Sequence, residues 1–586
     1  MHLIGAIVAA AFLAAGIFGL GTWLGGVTVG DRTVRGWTAL WWATAMFAQF
    51  AGVHAGALVG LFAAGLGVIG VGVRWKSERA AISAGLGILL LAAPLWLLPI
   101  HFYDTLAYHL GLPWSWLANG SFAAQPHVVY SRFPLAASVV FLLPSFLGVP
   151  EAAAGVHALT CAAALATCLS IARRLGAGRW AAAAPGLLLA CWHLVFVGTV
   201  AAADGVVLLG ALVAVERLVA GQEETRLPGV AVGLALGLAL AAKYTAFIPV
   251  AAVLAALALC GRPLQALASG AVALAASSFW WLRNVIETGN PLFPLFWSVL
   301  GGAGWTAADQ AKWEALVREG AGQSLDPGAV AARLVVPPDG LGWWVALAAV
   351  PALVAVIRPP GHAVRSRLVA LAAALMAVGW VATSQTTRYA MPLAALLAVL
   401  AAVGTAAMSV RPRLFVAAGL GLGVALGAAS LGSFLFGTLG VHRVWLGETT
   451  AEDWRRTVTV SDPLPAYHAA ARQLPPGSRL LLVGEGRPHG CPLPHHASSA
   501  YDRQLVERVA AETTAPGDVA RRLRAMGFTH AVVNHGELRR LAGGSYRVLR
   551  PADRAQRERL EEFFTRHTTV IWDDDGLEIR SIDTPG

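Results

Sequence analysis

Few side chains in this sequence could perform acid–base chemistry, and the first of them follows an apolar run. Asp104 stands next to Tyr103 and is followed closely by Tyr108 and His109. A carboxylate there could act as general base on an acceptor hydroxyl or amine, or it could hold a metal ion. It could equally cap a helix that begins at Thr105. The spacing alone favours neither interpretation.

A second carboxylate, Asp204, lies between two apolar segments and is the only charge between Arg179 and Glu216. A lone carboxylate near the centre of a membrane helix costs about 3 kcal/mol. That cost favours a position that faces a polar cavity. The alternative is again a helix cap, because Gly205 follows directly.

Two basic residues also accompany apolar segments. The chain has 43 lysines and arginines, and Lys243 is one of only three lysines. An ammonium at this turn suits an anionic headgroup such as a phosphate, although it could instead snorkel to the membrane interface. Arg388 opens a later apolar segment beside Tyr389. Its guanidinium could bind a phosphate through two hydrogen bonds, or it could anchor the helix at the interface together with Tyr389.

A short stretch of the C-terminal tail contains four side chains of the type that bind zinc: His489, Cys491, His495 and His496. Their irregular spacing and the prolines among them argue against a zinc site. Gly484 and Gly486 follow a predicted strand, but they do not complete a dinucleotide-binding fingerprint. The sequence is also compatible with a divalent metal cofactor bound elsewhere in the chain.

The elements that position these residues must lie in a membrane. The chain has 586 residues, of which 57% are hydrophobic and 13% charged, against about 25% charged in soluble proteins. The formal net charge of +10 is typical of arginine-rich cytoplasmic loops. No basic patch is interleaved with exposed aromatic residues, so we expect membrane lipid and not nucleic acid as a partner.

A membrane-spanning helix needs about 20 apolar residues, and this criterion predicts about 13 transmembrane helices. The first is interpreted as a retained helix and not as a cleaved signal, because further apolar spans follow it. The predicted spans are 3–24, 46–72, 83–100, 152–172, 180–200, 205–220, 228–242, 244–260, 264–282, 342–357, 367–384, 388–408 and 413–436.

The positions of the basic residues predict the orientation of these spans. With 13 spans and a cytoplasmic N-terminus, six basic turns fall on the cytoplasmic side. They contain Arg74/Lys76/Arg79, Arg173/Arg174/Arg179, Arg217/Arg226, Arg262, Arg358/Arg365/Arg367 and Arg411/Arg413. The loop 101–134, the turn at Asp204, the loop 283–341 and the tail are then outside. The apolar stretch 133–147 contains Pro134 and Pro144 and is predicted to be a re-entrant or interfacial helix on the outer face.

The tail has a different pattern, with frequent charges and short apolar runs such as 479–483 and 529–533. An amphipathic stretch at 518–526 lies before the second of these runs, so the pattern predicts a small α/β domain. The sequence therefore divides into additional transmembrane helices at 1–82, a membrane region at 83–438 and an extracytoplasmic domain at 439–586. The expected location is the bacterial cytoplasmic (inner) membrane.

Taken in order, these motifs resemble the GT-C superfamily of membrane glycosyltransferases, most closely its bacterial protein-mannosyltransferase and aminoarabinose-transferase types. The resemblance covers about residues 83–410. Its motifs are the loop acid Asp104, the turn acid Asp204, a Gly-rich helix that ends in Lys243, the Thr-Gly-Asn-Pro turn 288–291 and the Arg-Tyr-x-x-Pro segment 388–392.

The resemblance implies a GT-C-like fold and the transfer of a sugar from a polyprenyl-phosphate carrier to a glycan, lipid or protein acceptor on the outer face. It implies that Asp104 acts as base or orients the acceptor, and that Asp204 supports the acceptor or a metal. Lys243 and Arg388 would hold the lipid phosphate. The first loop lacks the paired acids of protein-mannosyltransferases, which leaves both a protein acceptor and a metal in question.

Two other classes of function are compatible with a polytopic chain. A transporter or flippase of a lipid-linked or anionic substrate would carry charges at mid-bilayer in broken helices related by a repeat. Here the acids lie at the outer ends of helices, and no repeat is visible. A scaffold whose outer domain performs the function would leave Asp204 and Lys243 without a role.

Overall fold

The computed structural model describes residues 2–73, 75–220, 228–321, 324–336, 340–361, 363–543, 546–549 and 553–583. Two members of the predicted basic turns, Arg74 and Arg226, lie outside these residues. The membrane region is helical. Its helices are α1 His2–Trp23, α2 Val29–Ala51, α3 Val53–Val73, α4 Trp75–Trp96, α5 Gly111–Asn119, α6 Ala136–Phe146, α7 Ala152–Arg174, α8 Ala183–Leu189, α9 Trp192–Gly198, α10 Asp204–Ala220, α11 Pro228–Ala242, α12 Phe247–Leu259, α13 Pro263–Thr288, α14 Trp297–Leu300, α15 Ala307–Ala321, α16 Pro327–Val335, α17 Trp344–Ile357, α18 Ala363–Ala382, α19 Met391–Ala407 and α20 Val410–Gly432.

The N-terminal region contains one more long helix than the sequence predicts. The single span predicted at 46–72 is wrong, because α2 and α3 are two helices that meet at Gly52, which has φ 95°. Hydropathy misses α2 because its charges are concentrated in the first two turns. There Asp31 accepts a hydrogen bond from Arg35, and Thr28 caps the helix by accepting one from the Asp31 N–H.

This additional helix changes the side of the bundle on which α1 begins. At one end of the bundle, the start of α2 contacts the ends of other helices, since the Thr28 hydroxyl donates to Glu216 near the end of α10. At the other end, His2 lies 3.2 Å from the Gly148 carbonyl, next to the start of α7. His2 is therefore at the same end as the predicted outer loops. A cytoplasmic N-terminus and an extracytoplasmic tail cannot both be correct.

The length and composition of the helices identify a multi-pass membrane protein. Among the described residues, six helices are long and apolar enough to cross a membrane, or seven if the bent pair 178–189 and 192–198 is one span. The predicted count of 13 is not confirmed by this criterion, because helices such as α11 and α12 have only 15 and 13 residues.

The apolar stretch 133–147 forms a short helix inside the protein. Helix α6 has 11 residues, and those from Ala136 to Ser145 are all buried. At 1.5 Å rise per residue it is about 16 Å long, too short to cross a bilayer. Its helical neighbours include α2, α3, α5, α7 and α11.

The tail contains a mixed five-stranded sheet between helices. Its helices are α21 Val441–Trp445, α22 Ala451–Val458, α23 Leu464–Gln473, α24 Leu505–Glu512, α25 Pro516–Ala525, α26 His535–Ala542 and α27 Arg554–Arg566, and its strands are β1 Leu480–Val483, β2 His495–Ala497, β3 His530–Asn534, β4 Thr568–Asp574 and β5 Leu577–Ile582. The strand order is β2-β1-β3-β5-β4. Strand β1 is parallel to β2 and β3, whereas β5 is antiparallel to β3 and β4. Alternate residues of β1 pack into separate cores on the two faces of the sheet.

The sheet domain contacts the loop that follows α4. The Trp114 indole donates to the Cys491 carbonyl at 2.6 Å, and Ser115 lies 2.7 Å from the His495 ring. Asn119 exchanges two hydrogen bonds with the backbone of His495. These bonds fix the tail directly over the end of the membrane region that contains Asp104.

The tail also contacts the second long loop. Asp309 of α15 accepts hydrogen bonds of 2.8 Å from Arg503 and Arg508. Lys312, one turn further along α15, donates to the Asp502 carbonyl at 2.6 Å. The carboxylate of Asp502 in turn accepts from the Val129 N–H of the first loop. One short segment of the tail thus connects both loops.

Candidate functional site

Asp104 forms an ion pair with Arg388, 284 residues further along the chain. The segment after α4 positions Asp104, and a 3-10 turn at Thr387–Ala390 that leads into α19 positions Arg388. The Arg388 Nη2 lies 2.6 Å from Asp104 Oδ2. Asp104 precedes a π-helical turn, Thr105–His109, but its side chain makes no capping hydrogen bond. The capping interpretation is therefore wrong, and the carboxylate points to the cation.

Asp204 forms a second ion pair with Lys243. Asp204 is the first residue of α10, and Lys243 follows the end of α11. The Lys243 Nζ lies 3.0 and 3.1 Å from the two carboxylate oxygens of Asp204. Both side chains are shielded, with 13% of the lysine side chain and 4% of the aspartate side chain exposed. The lysine is held by a partner and does not snorkel to the interface.

Tyr389 links the two ion pairs. Its ring lies 4.8 Å from the Lys243 ammonium and 5.4 Å from the Arg388 guanidinium. A ring face within about 6 Å of a cation is attractive, so Tyr389 contributes to holding the two cations near each other. The four charged residues singled out from the sequence thus form one cluster of two acids and two cations.

The loop acid of this cluster is ionised at neutral pH. Burial raises the pKa of Asp104, but the positive charges of Arg388 and Lys243 outweigh burial and hold that pKa below its usual value. Burial, with Lys243 nearby, lowers the pKa of His109 to about 3, so its imidazole is neutral. Neither ring nitrogen of His109 has a hydrogen-bond partner among the described residues.

The three aromatic residues predicted around Asp104 point in different directions. Tyr108 packs against His109, with ring centroids 4.2 Å apart, and against Tyr130 at 4.6 Å. Tyr103 contacts two arginines of the tail. Its ring lies 5.5 Å from the Arg487 guanidinium and 5.3 Å from that of Arg540.

Asp104 also lines a cavity of about 420 Å³ between the first loop and the tail. Sequence reasoning missed most of the other lining residues, including Tyr130, Arg487, Tyr501, Arg540 and Tyr546. They are divided between the first loop and the tail and carry no local motif. Only their aromatic and basic character could have indicated a ligand surface.

The close approach of elements around Asp204 depends on a glycine. A Cβ atom at Gly205 would lie 2.7 Å from His157 Nε2 and 2.5 Å from Cys161 Sγ. The Gly205 N–H donates to the same His157 nitrogen at 3.0 Å. Helices α7 and α10 therefore pack closely at this point, and this contact positions Asp204 at the N-terminus of α10.

The available donors do not fit a protein-bound divalent metal. Within the described residues, no three His, Cys, Asp or Glu side chains come together as a possible metal site. The two acids of the cluster are each paired with a cation. We therefore derive no catalytic step that depends on a metal.

Solved structures of other proteins share this fold. The chain is similar to the crystal structure of ArnT from Cupriavidus metallidurans in the apo state, with 16% identity, TM-score 0.55 and coverage of 87% of this chain and 99% of that one. The same protein bound to undecaprenyl phosphate gives 15% identity, TM-score 0.52 and coverage of 86% and 98%. These likenesses show that the chain shares the fold of ArnT.

A more distant likeness is to the archaeal oligosaccharyltransferase AglB from Archaeoglobus fulgidus in complex with an inhibitory peptide and a dolichol-phosphate. It has 13% identity and a TM-score of 0.44, with coverage of 78% of this chain and 70% of that one, which is too weak to argue from. No family model matches the sequence, and no curated protein matches it.

Proposed function

We propose that this protein is a glycosyltransferase that moves a sugar from a polyprenyl-phosphate donor to an acceptor at the outer face of the bacterial cytoplasmic membrane. The observation that carries the proposal is the cluster of two acids and two cations beside a cavity, at one end of a helical bundle. The fold shared with ArnT, which has been crystallised with undecaprenyl phosphate, supports the same class of donor.

Lys243 and Arg388 are proposed to hold the donor phosphate. Each is at present neutralised by one carboxylate, so the cluster carries no excess charge before the donor binds. An arginine has five N–H donors, and a single bond to Asp104 is compatible with further bonds to a phosphate. The two cations would also stabilise the negative charge that develops on the phosphate as it leaves.

Asp104 is proposed to act as the general base. An acceptor hydroxyl or amine would lose its proton to the Asp104 carboxylate while its oxygen or nitrogen attacks the anomeric carbon. The bond between that carbon and the phosphate oxygen would break, and its electron pair would remain on the polyprenyl phosphate. The low pKa of Asp104 keeps the carboxylate ready to accept the proton at neutral pH.

Asp204 is proposed to position Lys243 and not to contact the reacting atoms. Its two oxygens both bond the lysine ammonium, and α10 holds it rigidly. The proposed outer position of the cluster and of the tail agrees with the basic turns at the opposite end of the bundle.

The release of undecaprenyl phosphate tests the proposal whichever sugar is transferred. Purified protein in nanodiscs is incubated with undecaprenyl-phosphate-linked glucose, mannose, galactose or arabinose and a cell-envelope extract, and the freed lipid phosphate is measured by mass spectrometry. We expect release from at least one donor. Asp104→Asn should reduce it by about 10²-fold or more, as for loss of a general base.

A matched control removes a carboxylate elsewhere. Asp573→Asn, an exposed position on β4, should keep full activity. If Asp104→Asn is folded and also fully active, Asp104 is not the base. If no donor releases lipid phosphate and the wild type does not bind undecaprenyl phosphate in native mass spectrometry, the glycosyltransferase proposal fails.

A further inference from the structure

The proposed donor site at Lys243 and Arg388 does not account for the cavity next to Asp104. Its walls come from the first loop, α9 and the tail and do not include Lys243 or Arg388. A volume of about 420 Å³ is within the range of small-molecule sites. The cavity can therefore hold a ligand next to the carboxylate.

The walls of this cavity are rich in aromatic residues. Six rings line it, and they belong to Phe102, Tyr103, Tyr130, Phe196, Tyr501 and Tyr546. The tyrosines of the tail join those of the loop, with ring centroids of Tyr130 and Tyr501 at 5.7 Å and those of Tyr501 and Tyr546 at 6.4 Å. Flat rings with hydroxyl groups suit a ligand that has apolar C–H faces and hydroxyl edges.

The charges in the walls are neutralised inside the protein. Arg487 forms a two-bond ion pair with Glu485, at 2.8 and 2.7 Å. Arg540 forms another with Glu537, at 2.6 Å for each bond. Both glutamates are fully buried, so each guanidinium is neutralised by a carboxylate of the protein itself. Each of these guanidiniums thus commits two nitrogens to a buried carboxylate, whereas Arg388 gives Asp104 a single hydrogen bond and keeps more N–H donors for a phosphate group.

Two polar side chains of the cavity wall, Tyr103 and His101, remain neutral. Burial raises the pKa of Tyr103 above its usual value, so the phenol stays protonated. Its hydroxyl is shielded and has no hydrogen-bond partner among the described residues, although such buried groups are normally paired. Burial also lowers the pKa of His101 to about 4. These groups can exchange hydrogen bonds with ligand hydroxyls.

We propose that this cavity binds the acceptor, and that the acceptor presents a neutral, hydroxyl-bearing sugar ring to Asp104. The inference rests on the proposed glycosyltransferase function and adds the chemical class of its acceptor. Tyr501 and Tyr546 are the residues by which the tail determines specificity. A phosphorylated sugar is disfavoured because both arginines of the cavity already give two nitrogens to a buried carboxylate.

Saturation-transfer-difference NMR tests the class of ligand. The purified full-length protein in detergent is titrated with methyl α-mannopyranoside and, separately, with mannose 6-phosphate at the same concentration. We expect saturation transfer to the neutral glycoside at least fivefold stronger than to the phosphate. Equal or stronger transfer to mannose 6-phosphate would overturn the proposal, and this comparison needs only the wild-type protein.

Variants then test the location. Tyr501→Ala and Tyr546→Ala should each lose most of the signal from the neutral glycoside, whereas Tyr501→Phe, which keeps the ring, should retain it. Phe436→Ala removes an exposed ring outside the cavity and serves as the control. An unchanged signal in both tyrosine-to-alanine variants places the glycoside elsewhere and overturns the assignment.

The two proposals fail in different measurements. Binding of undecaprenyl phosphate, followed by native mass spectrometry, should persist in Tyr501→Ala and be lost in Lys243→Ala with Arg388→Ala. Absence of lipid-phosphate binding in the wild type refutes the proposed donor, whatever the glycoside does. Normal lipid-phosphate binding with no preference for the neutral glycoside refutes only the proposed acceptor.

Discussion

Asp204 and Lys243 form an ion pair that is almost completely removed from solvent. Taking two charges out of water is costly, and their mutual attraction compensates only when the geometry is good. Here both oxygens of the carboxylate bond the ammonium, and the Tyr389 ring covers the cation. Either charge alone would be buried without compensation.

We therefore expect the effects of substituting Asp204 and Lys243 on the stability of the protein to be coupled. Lys243→Met and Asp204→Asn should each destabilise the protein, by about 3–5 kcal/mol where a full charge remains unpaired. The double variant should recover more than half of the loss caused by Lys243→Met. Thermal unfolding midpoints of the detergent-solubilised variants measure this. Strictly additive losses would mean that the pair has no energetic coupling.

Glu507 of α24 gives a prediction about pH. Burial raises its pKa to about 7, even though Lys312 and Arg503 lower it. A carboxyl whose pKa is raised on folding favours the folded state below its usual pKa of 4.5, and this contribution is lost as the pH rises through about 7. Glu507→Gln should therefore be more stable than wild type at pH 8, by about 1–3 kcal/mol.

The difference between Glu507→Gln and wild type should shrink as the pH falls from 8 to 5, because the wild-type side chain becomes neutral. Thermal midpoints at several pH values measure it. Comparing the two proteins removes the contribution of the buried histidines, which are common to both. The exposed Glu561→Gln should show no such pH dependence. A constant difference across this range would mean that Glu507 is already neutral or fully charged.

Helices in the membrane region approach each other through small residues. Gly404 of α19 faces α17, and a Cβ atom there would lie 1.6 Å from the Pro351 carbonyl oxygen. Neither backbone can yield easily, since each is held by its own helical hydrogen bonds. The orientation of α19, and with it the position of Arg388 just before it, depends on this contact.

Gly404→Ala should accordingly be severely destabilising, by about 3 kcal/mol or more. The matched control is Gly421→Ala on α20, where no other atom lies within 4 Å of the added Cβ. It should be neutral or slightly stabilising, because alanine favours a helix over glycine by about 1 kcal/mol. Yield of folded protein and thermal midpoint distinguish the two. Equal behaviour would contradict the close packing of α17 and α19.

Across the whole molecule, His2 and the sheet domain lie on the same side of the bundle. His2 contacts the loop before α7, and the tail covers the loop after α4. At the opposite end, the turn after α17 contacts the end of α7, where Gly361 approaches Leu175 and Gly176. The basic turns after α7 and α17 therefore share one end, and His2 and the tail share the other.

Labelling of introduced cysteines tests this arrangement. In a Cys260→Ser background, which removes the one cysteine that is not buried, His2→Cys and Asp573→Cys should react with a membrane-impermeant maleimide in intact spheroplasts. Arg358→Cys should react only after permeabilisation. If His2→Cys and Asp573→Cys are labelled from opposite sides, the position of α2 in the bundle is wrong.

Composition and local pattern were enough to predict much of this protein. The excess of apolar residues indicates a membrane, and it does so because lipid is the only solvent in which such a surface is stable. Asp104, Asp204, Lys243 and Arg388 stand out because a charge beside an apolar helix is costly and is retained for a reason. The predicted strands at 479–483 and 529–533 coincide with β1 and β3, since buried strands carry a strong local signal.

Only the tertiary structure decided which charge pairs with which, and on which side of the bundle α1 begins. Asp104 and Arg388 are 284 residues apart, and no local pattern determines such a pairing. Helix α2 is missed by hydropathy because its charges are concentrated in its first two turns, and only the tertiary structure shows that Thr28 at this end donates to Glu216. The cavity shared by Tyr103, Tyr501 and Tyr546 exists only because the sheet domain packs on the first loop. Local sequence determines that the chain lies in lipid and which of its segments form helices and strands. Pairing between distant residues depends instead on how the helices and the tail pack together.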